Sequence, residues 1–318
     1  MRLRQLYEMA VARGIESDPR GAAGVERALR ETRKAWDDLP ERRRWEFDAE
    51  SLSNPFADTR ILLGDPELEV ATVLVGVDME VGEMLLADRL RERGTAIDLV
   101  LAHHPMGRAL ADLGDVMAVQ ADVWRRCGLP ISYGEAVMAE RMQEIRRAFH
   151  AYNNEEAVDA ARLLGLSVMC CHTPADNCVQ RYIQDRCDQL GEDATLGELM
   201  DMLKSIPEYR EATIRGAGPI LFQGEDGRRT GRVLVEMTGG TSGPKDAVKR
   251  LAEAGVGTIV DMHMDEERRK VAEEAHINVV VAGHHASDSL GMNLILDEWE
   301  RAGVSLLACS GFIRVSRA

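Results

Sequence analysis

A chain of 318 residues, 45% of them hydrophobic, is long enough to bury one large α/β core or two medium ones. A formal charge of -15 is repelled by a phosphate backbone, and 4% aromatic residues supply few stacking platforms, so nucleic-acid binding is disfavoured. No apolar run has the length of a membrane span, and MRLRQLYEMAVARG lacks the apolar centre and cleavage pattern of a secretory signal, so a cytoplasmic protein is expected.

Residues 1–48 read as a charged helical extension, serving as an oligomer contact or a cover for the core. Leu3, Leu6, Tyr7 and Ala10 recur at helical spacing. A break at Asp18-Pro19-Arg20-Gly21 precedes a second helix carrying Val25, Leu29 and Trp36, and ERRRWEFDAE reads as a solvated face. From Asn54 the pattern changes. After a turn at Gly64-Asp65-Pro66, the strand ATVLVGVD ends in Asp78. A helix with Val81, Met84, Leu85, Ala87 and Leu90 on one face follows, and the strand IDLVLA then runs into His103-His104. This strand–helix–strand unit predicts a parallel pair with a right-handed crossover.

Residues 107–165 read as mostly helical, with a break at Gly128-Leu129-Pro130. The strand SVMCC leads to HTPADN (172–177), then helices near 177–190 and 196–206. Residues 212–240 read as short strands with glycine turns. VLVEM, GTIVDMH, INVVVAG and VSLLACS then alternate with helices over 244–254, 265–275 and 286–302. VLVGVD–helix–IDLVLAHH is paralleled by TIVDMHMD–helix–INVVVAGHH, an order that suggests a duplication.

Open parallel sheets carry their sites at the carboxyl ends of strands. Four such ends bear metal-type ligands: His103-His104, Asp176, Asp261 with His263, and His284-His285 with Asp288. Adjacent strand residues point to opposite faces, so both histidines of the first pair can serve one site only if the strand ends there. Pro105 ends it, because it has no N–H for the ladder. His284 and Asp288 are four apart, which brings them together at one end of a helix. Imidazole with carboxylate suits zinc, iron or manganese. The six cysteines form no C-x-x-C pair and read as reduced thiols, with Cys170, Cys171 and Cys178 as small core residues. The loop TGGTSGPK (238–245) does not match P-loop spacing, and Pro244 reads as the first residue of a helix capped by Ser242 or Gly243. A zinc-deaminase pair and a serine-hydrolase elbow are both missing.

AHHP at 102–105, CHTPAD at 171–176 and GHHASD at 283–288 resemble, in that order, the motifs of the Nif-three-like family of dinuclear-metal-centre hexameric proteins. Some members carry a second-type GTP cyclohydrolase label. NPFADTRILLGDPELEVATVLVGVDME is similar to the family's opening segment, although its W-D-N-x-G-L is replaced by FADTRI. Asp288 stands where the family has Glu. The resemblance implies two similar, intertwined three-layer α/β/α subdomains with a metal site between them, in a unit over 49–318 with halves 49–178 and 179–318. It implies His103, His104, Asp176 (bridging), His284 and Asp288 as ligands of two divalent ions, zinc, iron or manganese, with His285 only a neighbour. It also implies a homohexamer.

Two ions about 3.5–4 Å apart activate water and clamp a leaving oxygen. The expected function is therefore a metal-dependent hydrolase of a phosphate ester, cyclic amide or nucleotide-type small molecule. A non-enzymatic metal-binding or regulatory scaffold is the first alternative and a GTP-cyclohydrolase-like activity the second. Asp78 is a candidate to orient a ligand from behind. His263 is a candidate general acid or phosphate contact, and His172 reads as structural.

Overall fold

A computed structural model describes residues 1–318. Two long helices open the chain, α1 (Leu3–Ser17) and α2 (Gly21–Asp37). The first α/β stretch is β1 (Arg60–Leu63), β2 (Thr72–Gly76), α3 (Val81–Glu92) and β3 (Leu99–Ala102). A helical excursion follows as α4 (Gly107–Ala111), α5 (Val119–Arg126), α6 (Ile131–His150) and α7 (Glu156–Leu163), and the chain returns to the sheet as β4 (Val168–Cys170). Then come α8 (Thr173–Leu190), α9 (Leu196–Ser205), α10 (Pro207–Ile214), β5 (Ile220–Gln223) and β6 (Arg232–Glu236). The last stretch is α11 (Asp246–Glu253), β7 (Val256–Asp261), α12 (Glu266–Glu274), β8 (Asn278–Val281), α13 (His284–Arg301) and β9 (Ser305–Ala308).

The strands sort into two sheets of one design. The first has the order β1-β4-β3-β2-β9 and the second β5-β8-β7-β6. In each, three consecutive strands run parallel and one antiparallel strand pairs with the third of them. Both antiparallel strands carry a register shift, between Ile61 and Leu63 and between Leu221 and Gln223. The expected duplicated α/β/α architecture is what the chain adopts.

Strand alternation decides which helices cover each face. Val73 and Val75 of β2 point to one core with Leu99, Leu101 and Met169, while Leu74 points to the opposite core with Val100 and Val168. Helices α8 and α13 lie between the sheets. Their Ala175, Cys178, Met292 and Ile295 pack on the first sheet, and their Val179, Ile183, Ala286 and Leu290 pack on the second. The two helices touch closely: a Cβ on Gly291 would meet the Ala175 carbonyl oxygen at 2.2 Å. The halves are interlocked at their outer faces too. Met117, Trp124, Met138 and Ile145, from the excursion that leaves the first sheet, pack on Leu234, Ile259 and Val279 of the second. Strand β9, late in the chain, pairs with β2 of the first sheet.

Sheet order corrects the register of the repeat. The counterparts are β2 with β6, β3 with β7 and β4 with β8, one strand away from the pairing that aligned the two His-His ends. The end of β3 therefore matches the end of β7, and His172…Asp176 matches His284…Asp288, each pair at a helix N-terminus.

Other differences are local. Helix α8 begins at Thr173, so HTPADN is already helical over most of its length. Residues 212–214 close α10 rather than start a strand. Helix α11 starts at Asp246 with Lys245 as its cap, leaving Pro244 in the loop. That loop is held elsewhere: Gly239 and Gly240 take φ of +98° and +77°, and Gln120 Nε2 donates to the carbonyls of Gly239 and Thr241. Helix α1 is more than a cover, since Leu3, Leu6 and Ala10 are fully buried in the first core.

Candidate metal centre

The centre forms where β3, β4 and β8 end and where α8 and α13 begin. Backbone pairing with β2 continues two residues past β3, as His103 N donates to Gly76 O and His104 N to Val77 O. Pro105 then ends it. The two imidazoles lie with ring centres 5.1 Å apart. Asp176 occupies the first turn of α8, where unpaired N–H groups and the helix dipole favour a carboxylate, and Asp288 follows just past the first turn of α13.

Three histidines are fixed from behind. His103 Nδ1 donates to Cys171 O at 3.1 Å, a group that can only accept, so the proton sits on Nδ1. His104 Nδ1 meets Asp78 Oδ1 at 2.6 Å, and His172 Nδ1 meets Asp58 Oδ2 at 2.8 Å. In each ring Nε2 is left to face inward. His103 Nε2 is 3.4 Å from both Asp176 Oδ1 and Asp288 Oδ1. His172 Nε2 is 3.7 Å from Asp176 Oδ2. His104 Nε2 and His284 Nε2 each lie 3.7 Å from Asp288 Oδ2.

Four of these inward atoms are buried without any hydrogen-bond partner: His103 Nε2, Asp176 Oδ1 and both oxygens of Asp288. An unpaired polar atom at such depth costs about 1–3 kcal/mol. Three of them, His103 Nε2, Asp176 Oδ1 and Asp288 Oδ1, face one another and fit a cation, while Asp288 Oδ2 turns toward His104 and His284. Ligand atoms within 4.8 Å of one another group as His103/His104/His172, His104/His284/Asp288 and His103/Asp176/Asp288, and each group could hold a metal ion.

The protonation pattern of the metal-free protein fits the same geometry. Burial raises the Asp176 carboxyl to about 6. Burial opposes ionisation of Asp288 as well, but the imidazoles of His103, His284 and His104 hold it well below the usual carboxylate range. At His172 burial would lower the pKa, yet the carboxylates of Asp176 and Asp58 outweigh it and raise the pKa to about 9. At His284 burial prevails and lowers it to about 4.

No protein-family model and no curated protein matches the sequence. The fold is similar to that of a solved NIF3 superfamily protein from Sphaerobacter thermophilus, with a TM-score of 0.71 and 26% identity over 80% of this chain and 91% of that one.

The chain is NIF3-like.

At a lower level it is similar to reduced HcgD from Methanocaldococcus jannaschii, at 13% identity and a TM-score of 0.46 over 78% of this chain and 87% of that one. A Bacillus cereus protein related to NIF3 gives 11% identity and a TM-score of 0.42 over 91% and 98%.

In this NIF3-like chain His103, His104, Asp176, His284 and Asp288 come together as one cluster. Asp288, rather than Asp176, directs one oxygen toward His103 and the other toward His104 and His284. His172, read from sequence as structural, belongs to the cluster, and Asp58 behind it was not singled out. Asp58 is fully buried and also accepts from Thr173 Oγ1 at 2.6 Å. Their separation of 114 residues leaves no local signal. His285 is exposed and lies 3.9 Å from Asp78. His263 stands apart from the ligand groups, with its Nδ1 3.1 Å from Ser242 Oγ and its ring 4.8 Å from that of His284. Burial pushes the thiols of Cys170 and Cys178 up to about 12 and 11, in keeping with unreactive core thiols.

Proposed function

We propose that the chain is a dinuclear metal-dependent hydrolase of a small molecule. The single observation that carries this reading is the set of four buried, unpartnered atoms of His103, Asp176 and Asp288, three facing one another and Asp288 Oδ2 turned toward His104 and His284. In this assignment His103, His172, Asp176 and Asp288 Oδ1 form one position, and His104, His284 and Asp288 Oδ2 form the other. The first has four protein ligands and is deeply buried. The second has three, with the side chains of His104 and His284 25% and 39% exposed. Three protein ligands with an open coordination place is the pattern of catalytic sites, whereas four is that of structural ones. Two divalent ions, of zinc, iron or manganese, would supply Lewis acidity and an activated water.

The protein's own groups have distinct tasks. Asp78 and Asp58 hold the Nδ1 protons of His104 and His172, keeping each Nε2 free. His263, beside His284 and in contact with Ser242, is in position to give a proton to a departing group. The division into a helical segment 1–48 and a unit over 49–318 is part of the proposal, as are cytoplasmic residence and assembly into a homohexamer, which light scattering in solution tests. No helix is long and apolar enough to cross a membrane.

The deciding experiment counts metal in the purified protein and in His103→Ala and Asp176→Ala. The expected result is two ions per chain in the parent and loss in both variants. Full occupancy in both variants refutes the assignment. Two bound ions without turnover across a broad hydrolase panel would favour the scaffold alternative, and formate release from GTP the cyclohydrolase one.

A further inference from the structure

The two sheets treat matching edges differently. In the first, β2 is covered by β9, with Thr72 opposite Ser305 and Val75 opposite Ala308. Its counterpart β6 ends the second sheet and pairs only with β7. The backbone groups on its free side are nevertheless taken up, by two side chains of α8. Gln184 Nε2 donates to Val233 O at 3.1 Å, and Gln184 Oε1 accepts from Val235 N at 3.0 Å. Gln180 Nε2 donates to Val235 O at 2.6 Å, and Gln180 Oε1 accepts from Met237 N at 2.7 Å. Each amide bridges the carbonyl of one residue and the N–H two residues on, as a residue of a parallel neighbouring strand does.

The spacing suits this role. Residues four apart on a helix are separated by about 6.0 Å along its axis, and two strand residues span about 6.6 Å, so one face of α8 can follow a strand for two rungs. The other half supplies an internal comparison. Helix α13 matches α8 through His284…Asp288, and the residues four and eight after Asp288 are Met292 and Leu296, both buried in the first core. Where a strand covers the edge, the helix carries hydrocarbon. Where the edge is free, it carries amides. The face of α8 that bears the glutamines also bears a member of the cluster, because Asp176 lies four residues before Gln180. The cluster opens into a cleft whose walls include Gln120, Trp124, Glu236 and Arg268, and Asp176 and Gln180 line it together. Between them, Thr238 Oγ1 donates to Asn177 Oδ1 at 2.6 Å and carries the tie past the end of β6.

We propose that Gln180 and Gln184 are positioning residues for Asp176: their ladder to β6 fixes how far α8 reaches along the strand, and so where the carboxylate stands. This rests on the metal-centre reading and adds to it. Packing against the two cores holds α8 between the sheets, but apolar contact has no preferred direction. Hydrogen bonds do, and four of them to alternate groups of one strand are satisfied together in a single register. A shift of α8 by a few tenths of an ångström along β6 exceeds the roughly 0.2 Å that metal–ligand distances allow.

The test compares Gln180→Met, Gln184→Met and Ile183→Val with the parent. Metal affinity is measured by competition with a chelator, and the visible spectrum is recorded with cobalt(II) bound. Methionine matches glutamine in length and removes the ladder hydrogen bonds. Ile183→Val opens a small cavity on the face of the same helix that packs in the second core, and leaves the ladder intact. Gln180→Met is expected to weaken metal binding by about tenfold and to alter the cobalt(II) spectrum, Gln184→Met to do both to a smaller extent, and Ile183→Val to do neither. Parent-like affinity and spectrum in a folded Gln180→Met, or an equal loss in Ile183→Val, overturns the inference. Asp176→Ala keeps the two readings apart. If it retains its metal, the metal assignment falls and this inference with it; if it loses metal while Gln180→Met does not, this inference alone falls. If Gln180→Met does not fold, Gln184→Met, at a half-buried position, decides by the same readouts.

Discussion

Replacing Gly291 with alanine tests whether the crossing of α8 and α13 sets the geometry of the centre. The added Cβ would lie 2.2 Å from the Ala175 carbonyl oxygen and 2.8 Å from its carbonyl carbon, about 1.2 Å inside the 3.4 Å where ordinary contact begins. Both atoms are helix backbone, so no side-chain rotation relieves the clash, and the helices must separate. Overpacking of this kind costs about 1–3 kcal/mol. The same displacement acts on the ligands, because Asp176 follows Ala175 directly and Asp288 lies one helical turn before Gly291. Metal sites tolerate about 0.2 Å in ligand distance. Gly291→Ala should therefore lower urea stability by about 1–3 kcal/mol and weaken metal binding more than about tenfold. Gly82→Ala is the control. It lies in α3, its Cβ meets nothing within 4 Å, and it should be neutral or gain up to about 1 kcal/mol. A Gly291→Ala protein that unfolds at the parent's urea midpoint and binds metal with the parent's affinity would refute the reasoning.

Asp58→Asn removes the anionic partner of His172 Nδ1 while keeping an oxygen for Thr173; competition with a chelator should show metal affinity down by about 10–100-fold, and unchanged affinity would show that Asp58 plays no part in holding the ion. Metal-free protein should lose stability as pH rises from 6.5 to 9. Stabilisation from a His172 pKa raised to about 9 is fully present below 6.5 and is lost on passing 9, by up to about 3 kcal/mol. A bound ion replaces that proton, so the slope should vanish in the metal-loaded protein. Urea midpoints across this window decide the matter, and a flat metal-free profile contradicts the reading.

The clustered side chains that lie in short motifs were legible because each motif ends a strand or opens a helix. HHP joins two histidines to a residue that stops the ladder, and the four-residue step from His284 to Asp288 is one helical turn. What depends on distant pairing was not legible. His172 draws its role from Asp58, and the cleft joins Gln120 and Trp124 of the first half to Glu236 and Arg268 of the second. The repeat was detected in the wrong register because two His-His pairs are conspicuous. The better signal was in plain sequence. Ile61-Leu62-Leu63-Gly64 and Val73-Leu74-Val75 recur 160 residues on as Leu221-Phe222-Gln223-Gly224 and Val233-Leu234-Val235, which are the bulged antiparallel strands and the parallel strands after them. Helix α11 starts late because Gly239 and Gly240 bend the loop before Pro244 can open a helix.

The pairing of β9 with β2 also bears on how the chain is made. Thr72 meets Ser305, so a nascent chain must emit more than 200 residues between them before that edge of the first sheet is covered. At about 5–20 residues per second this leaves the edge of β2 bare for roughly 10–50 s. Its Thr72–Gly76 segment is mostly apolar, and its bare backbone N–H and C=O groups are a template for another strand. The bare edge of β2 is therefore an aggregation hazard during synthesis, which the pairing with β9 removes once the chain is complete.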